Sequence, residues 1–219
     1  MRMRLGGCLL AGLFVVVSGS WAGTVPITIG NYSFESPTCT ASVPSCGAPT
    51  SWTASASGVN AYLPPTGAWD VPVPNGSQIA AINNGYLSQV LAADVLADTT
   101  YTLSVWVSER SNPSNSFQPT IELLGGSTVL MTMNTSNSGG ALPTRNSDGT
   151  YTWVDWTMSF TTPDSAAYIG QPLEIYLGSP GPQADFDAVS LDQSVPEPAM
   201  FMFVGTGLLG LLARRRYAK

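Results

Sequence analysis

Thr100-Tyr101-Thr102-Leu103-Ser104-Val105-Trp106-Val107-Ser108 alternates without a break. Side chains of an extended chain point to opposite faces in turn, so Tyr101, Leu103, Val105 and Val107 share one face and Thr102, Ser104, Trp106 and Ser108 the other. The stretch from Tyr151 to Thr161 repeats the pattern, with Val154, Trp156, Met158 and Phe160 on one side and Tyr151, Trp153, Asp155 and Thr157 on the other. Asp148-Gly149, just ahead of it, is a turn signal. Outward from these two stretches, further strands are expected near Val25 to Phe34, Trp52 to Ala54, Gln78 to Ile82, Leu87 to Leu91, Thr120 to Leu124, Thr128 to Met133, Leu173 to Leu177 and Asp185 to Leu191. Gly125-Gly126 and Gly139-Gly140 mark loops between them. Many short strands with no amphipathic helix and no fixed repeat predict an all-β, two-sheet sandwich. The body, residues 23–194, is long enough for one domain with a full core.

The two ends read as sorting segments. Arg2 and Arg4 precede an apolar run from Leu5 to Val17, and Ser20-Trp21-Ala22 sets small residues where a signal peptidase reads, so residues 1–22 are expected to be a signal peptide. Cys8 precedes the apolar run instead of ending it, which argues against a lipoprotein signal. At the other end, Val195-Pro196-Glu197-Pro198 leads into fifteen uncharged residues, Ala199 to Ala213, and then Arg214-Arg215-Arg216. A helix over 199–213 would rise about 22 Å, a little short of the roughly 30 Å hydrocarbon layer, with arginines able to snorkel to the headgroups. The basic cluster places that end in the cytoplasm and the body outside. In its order of parts the tail, residues 195–219, resembles the PEP-CTERM sorting signal of exported bacterial proteins. That resemblance implies recognition by an exosortase, processing near Pro196-Glu197-Pro198, and release to the cell surface or extracellular matrix. An ordinary, unprocessed C-terminal anchor would have the same topology.

Between the tails the charge is strongly one-sided. All fourteen acidic residues lie between Gly23 and Pro198 against two arginines, Arg110 and Arg145, a formal charge of −12. Such a surface repels nucleic acid and suits neutral sugars, cations or basic partners. The chain has no histidine, which removes the Ser-His-Asp and Cys-His nucleophile pairs and His-ligated zinc. Any catalysis would rest on carboxylates. Cys39 and Cys46, seven apart in an exported chain, are expected to close one small disulfide loop, worth about 2.5 kcal/mol in the chain-entropy picture.

The body opens with Asn31-Tyr32-Ser33-Phe34-Glu35-Ser36-Pro37, continues to Trp52, and closes with Asp185-Phe186-Asp187-Ala188-Val189-Ser190-Leu191. It is similar in this to the jelly-roll, galactose-binding-like superfamily, which includes many carbohydrate-binding modules. The resemblance implies that the opening and closing motifs lie on neighbouring strands, that Trp52 is core, and that Glu35 and Asp187 bind a structural calcium ion with backbone carbonyls. Hard oxygen ligands from both chain ends suit that ion. Without an ion, Glu35 is a solvated strand-end residue and Asp187 a turn former.

Sugar binding needs exposed rings, because pyranose C–H faces stack on flat apolar surfaces while carboxylates accept hydroxyl hydrogen bonds. The alternation offers Trp106, Trp153, Tyr151 and Asp155 as such a platform, and Trp69 in the Pro-rich loop from Pro64 to Pro74 as a second contact. No pair of acids stands out as catalytic. The sequence therefore favours a non-catalytic surface or matrix protein associated with exopolysaccharide or biofilm. A module binding neutral polysaccharide is the second reading, and a two-carboxylate glycosidase or lyase the third.

Overall fold

The computed structural model describes residues 23–109, 118–138, 140–181 and 183–195. The signal peptide expected at 1–22 and the helix expected at 199–213 lie outside them. The described body forms one compact unit, Gly23–Val195. Its elements are all strands: β1 Gly23–Ile27, β2 Thr53–Ala54, β3 Val59–Tyr62, β4 Ile79–Ile82, β5 Gly85–Asp94, β6 Thr100–Glu109, β7 Thr120–Gly125, β8 Thr128–Asn134, β9 Val154–Thr161, β10 Pro172–Ser179 and β11 Ala184–Val195. Among the described residues no helix is long and apolar enough to cross a membrane.

The strands form two antiparallel sheets. One runs β3-β4-β11-β6-β9, with β1 also paired to β11, and the other runs β2-β5-β10-β7-β8. The alternation of β6 sets the inner face of the first sheet: Tyr101, Leu103, Val105 and Val107 are buried, and their register against β9 brings Trp156, fully buried, opposite Val105. The second sheet answers with Leu87 and Leu91 from β5, Ile121 and Leu123 from β7, Met131 and Met133 from β8, and Leu173, Ile175 and Leu177 from β10. Each such side chain, fully buried, stabilises the fold by roughly 1.5 to 3 kcal/mol. This apolar layer between two sheets is the all-β jelly-roll sandwich expected.

Three local expectations need correction. The first strand stops at Ile27, because Asn31 and Phe34 adopt left-handed φ of 51° and 59° and close a turn through the Phe34 N–H to the Asn31 carbonyl (3.1 Å). The opening motif is thus a turn laid against β11, where the Val189 N–H reaches the Tyr32 carbonyl (3.0 Å), and not a strand of its own. A strand went unforeseen at Val59–Tyr62, four residues long and too short to show periodicity.

Candidate functional site

Two carboxylates meet at one loop. Glu35 follows the Asn31–Phe34 turn, and the loop 75–78 folds over it: the Ser77 and Gln78 N–H groups donate to Glu35 Oε1 (2.7 and 2.6 Å) and the Ser77 hydroxyl to Oε2 (3.1 Å). Asp187 reaches the same loop from β11, accepting the Asn75 N–H at Oδ2 (2.8 Å) and the Ala188 N–H at Oδ1 (2.7 Å). It sits where the β11–β6 register slips between Asp187 and Ser190, with Ala188 at a φ of 46°. A bulge of this kind re-aims a side chain out of the strand's alternation. Burial pushes the Asp187 carboxyl up to about 7, the backbone donors pull it down, and the Glu35 charge adds to the rise. Gly76 is the pivot of the loop: a Cβ there would stand 2.4 Å from Glu35 Oε1, at a φ of 71°.

Cys39 and Cys46 are disulfide-bonded, with Cα atoms 5.3 Å apart. The bridge lies beside this corner. The buried Gln78 amide accepts the Cys39 N–H (2.5 Å) and donates to the carbonyls of Phe34 and Pro37, which fixes the segment carrying Glu35.

The tryptophans do not form an open platform. Trp69, Tyr151 and Trp153 are each 7% exposed and make a small second core with Ile79, against which Trp106 packs half-buried. Trp69 and Trp153 stack with ring centroids 5.1 Å apart, and the Trp69 indole N–H donates to Ser108 Oγ (2.6 Å). The loop from Pro64 to Pro74 reaches this point because its backbone bridges to Tyr151, the Asp70 N–H to the Tyr151 carbonyl (3.2 Å) and the Tyr151 N–H to the Ala68 carbonyl (3.3 Å). Tyr151 and Trp153 also precede β9 and so fall outside its alternation. Asp155 alone of that group is exposed, and it accepts hydrogen bonds from the hydroxyls of Ser104 and Thr157.

The open aromatic surface is on the other sheet. On β10, Leu173, Ile175 and Leu177 face the core, so Glu174, Tyr176 and Gly178 face outward. Strand pairing extends those positions into rows: Ser88, Tyr176, Glu122 and Thr132 lie across β5, β10, β7 and β8, and Tyr86, Gly178 and Thr120 form the next row. Gly178 lets the Tyr176 ring fold back over the strand, since a Cβ there would meet Tyr176 Cε1 at 2.6 Å. The ring thereby comes to lie 4.9 Å from that of Tyr86, tilted by 30°. Glu122 closes one side and accepts the Thr132 hydroxyl (3.4 Å). The cleft they line with Asn84 and Thr120 holds about 330 Å³. Burial pushes the Tyr176 phenol up, with the charges of Glu122 and Tyr86 adding to it. Sequence reading missed these residues. Tyr86 and Tyr176 are neighbours only through the β5–β10 register, and the outward alternation of β10 was the one available signal.

Comparison with known proteins gives two family matches. Residues 25–192 match the HpiC1-like family, described as HpiC1 cyclase, and residues 194–216 match the PEP-CTERM protein-sorting motif. No curated protein sequence matches the chain. Among solved structures, an apo cyclase from Fischerella sp. superposes with a TM-score of 0.63 at 24% identity, over 80% of this chain and 98% of that one. A Stig cyclase from Fischerella sp. TAU in complex with (3Z)-3-(1-methyl-2-pyrrolidinylidene)-3H-indole gives 0.61 at 24%, over 80% and 100%. A cyclase from the same source in complex with 4-(1H-indol-3-yl)butan-2-one gives 0.63 at 25%, with the same coverage. These superpositions speak for the fold. The tail carrying Val195 to Pro198 and Arg214 to Arg216 is a PEP-CTERM motif, which implies an exported protein processed by an exosortase. The family match overturns the expectation of a non-catalytic body, because the matched family is one of cyclases.

Proposed function

The chain belongs to the HpiC1 cyclase family, and from that premise we propose that it is an exported cyclase-type enzyme whose substrate lies on the Tyr86–Tyr176–Glu122 face. The observation that carries the reading is the Tyr176 ring folded over Gly178 beside Tyr86, with a carboxylate in the same row. A cyclase joins two parts of one molecule, so its protein must hold a folded conformer and move a proton. The two tyrosine rings supply a flat apolar support, and Glu122 is the group within the cleft that can take or give the proton. Delivery through the PEP-CTERM tail then brings the activity to the cell surface or its extracellular matrix.

The test is binding of 4-(1H-indol-3-yl)butan-2-one, a flat indole carrying a ketone, to wild type and Tyr176→Ala. Loss of on the order of tenfold in affinity in a variant with an unchanged melt supports the face, since one good aromatic contact is worth about 1 kcal/mol or more. An unchanged affinity in the variant, or no binding to wild type, removes it.

Calcium belongs to the same proposal as a structural element. Glu35 and Asp187 bring hard oxygen donors to one loop, and the Glu35 charge adds to the cost of ionising Asp187, a cost that a bound cation would offset. Among the described residues no group of three or more acidic, Cys or His side chains could hold a metal, so backbone or water oxygens would complete the shell. The ion would tie the opening turn to β11.

A second reading, a module for neutral polysaccharide, draws on the same rings, because tyrosine faces beside a carboxylate also suit a pyranose. Affinity electrophoresis on a polysaccharide panel separates the two: retardation abolished by Tyr176→Ala would favour the sugar.

A further inference from the structure

We infer that Gln78 is the positioning residue of the Glu35–Asp187 corner and that the Cys39–Cys46 bridge acts through it, so that the corner takes calcium tightly only while the bridge is closed. This rests on calcium binding at that corner. Gln78 directly precedes β4 and is 1% exposed. Its backbone N–H donates to Glu35 Oε1 (2.6 Å), and its side-chain amide donates to the carbonyls of Phe34 (3.0 Å) and Pro37 (2.9 Å), which flank Glu35. One buried residue thus holds both the carboxylate and the backbone that carries it. The remaining amide atom, Oε1, accepts the Cys39 N–H.

From Thr38 to Ala48 every residue except Cys39 and Cys46 is exposed, so little apolar burial fixes this loop. Its far side is laced to β3 and the residue after it: the Cys46 N–H donates to the Ala61 carbonyl (3.2 Å), the Ala61 N–H to the Gly47 carbonyl (2.8 Å) and the Leu63 N–H to the Pro44 carbonyl (2.8 Å). Its near side is tied to the body by the bridge and by the bond from Cys39 to Gln78. With the bridge open, Cys39 can leave that bond. A buried acceptor stripped of its donor is costly, so the Gln78 amide turns to other partners and releases Phe34 and Pro37. Closing the bridge takes two electrons and two protons from the Cys39 and Cys46 thiols and passes them to an external disulfide, which becomes two thiols. Such oxidants act outside the cytoplasm, where the sorting motif directs the body. The corner is therefore completed on export.

Calorimetric titration of calcium chloride into the full chain in phosphatidylcholine nanodiscs, with empty nanodiscs as blank, tests this in the oxidised and the dithiothreitol-reduced protein. Reduction should weaken calcium about tenfold, and Cys39→Ser with Cys46→Ser should match the reduced protein. Gln78→Met in the oxidised protein should weaken calcium to the same extent, and reduction should then cost it nothing more, because two changes on one path do not add. Hydrogen exchange should quicken over residues 75–78 on reduction and in Gln78→Met while β6 stays protected, which a general loss of stability would not produce. Coupling is reciprocal, so saturating calcium should shift the bridge's equilibrium with glutathione about tenfold toward the disulfide. Where Gln78→Met does not fold, reduced wild type carries the test: faster exchange over 75–78 beside a protected β6 supports the path, and unchanged exchange overturns it. Equal calcium affinity in the two redox states, or a full further loss when Gln78→Met is reduced, overturns the inference and leaves calcium binding in place. If the oxidised wild type takes up no calcium, the calcium reading itself is wrong and this inference falls with it.

Discussion

Asp187 is inside the protein with a carboxyl that holds its proton to about 7, against 3.8 for an ordinary aspartate. The cause is burial first, and the sign of its effect on stability follows. In the window between those two values the folded state keeps a proton that the unfolded state has lost, so stability is greatest below the unfolded value and falls as pH rises toward 7. With chelator present, the melting temperature of the full chain should therefore drop from pH 4 to pH 7, by as much as about 1.4 kcal/mol of stability per pH unit. Saturating calcium should remove the drop, because a bound cation favours the ionised carboxylate. Asp187→Asn should remove both the pH dependence and the calcium effect. A melt insensitive to calcium in wild type at pH 7 would count against the site. Trp153 makes a contrasting case. Its ring is buried against Trp69 and Ile79, so Trp153→Ala should cost roughly 3 to 5 kcal/mol in denaturant unfolding. A stable variant would show that the outer cluster contributes little packing.

At the scale of strands, β10 shows how a single alternation serves both core and site. Leu173, Ile175 and Leu177 hold the sandwich, and Tyr176 and Gly178, one step out of phase, make the aromatic floor. Gly178→Ala is then an informative change. Its Cβ would enter the space of the Tyr176 ring, so ligand affinity should fall as far as in Tyr176→Ala, on the order of tenfold, with the melting temperature hardly moved; titration beside a thermal melt reads both. If affinity holds, the folded-back ring is not what binds. The same strands explain what could be read in advance. The faces of β6 and β9 were legible because alternation over Thr100–Ser108 and over the eight residues Val154–Thr161 leaves one arrangement that buries Leu103 and Trp156 together. The fate of the outward tryptophans was not legible, because the loop that covers Trp106 arrives from residues 64–74, and the bond from Trp69 to Ser108 spans 39 residues. Tyr86 and Tyr176 stand ninety positions apart, and only strand order makes them neighbours. Glu35 and Asp187 were paired in advance by family resemblance; no periodicity links a turn to a bulge.

For the molecule as a whole, the decisive feature is that its first and last strands pair with each other. Gly23 is opposite Val195, Thr24 opposite Ser194 and Val25 opposite Gln193, so β1 depends on the last three residues of β11 for much of its ladder. In sequence Ala22, the expected signal-peptidase site, directly precedes Gly23, and Pro196 directly follows Val195. The folded body thus leaves no spacer before the sorting motif. A cut upstream of Val195 would strip backbone partners from β1, whose residues Gly23 to Pro26 are exposed and have few side-chain contacts to hold them otherwise. The mature C-terminus should therefore lie at or beyond Val195. Intact-mass analysis of material released from the cell surface should show loss of the first 22 residues and of the Arg214–Arg216 cluster, with Val195 retained. Replacing Pro196, Glu197 and Pro198 by alanine should keep the protein in the membrane fraction with its fold intact. Full-length chain in the medium would contradict the processing, and a released form ending before Val195 would contradict the role of the terminal ladder.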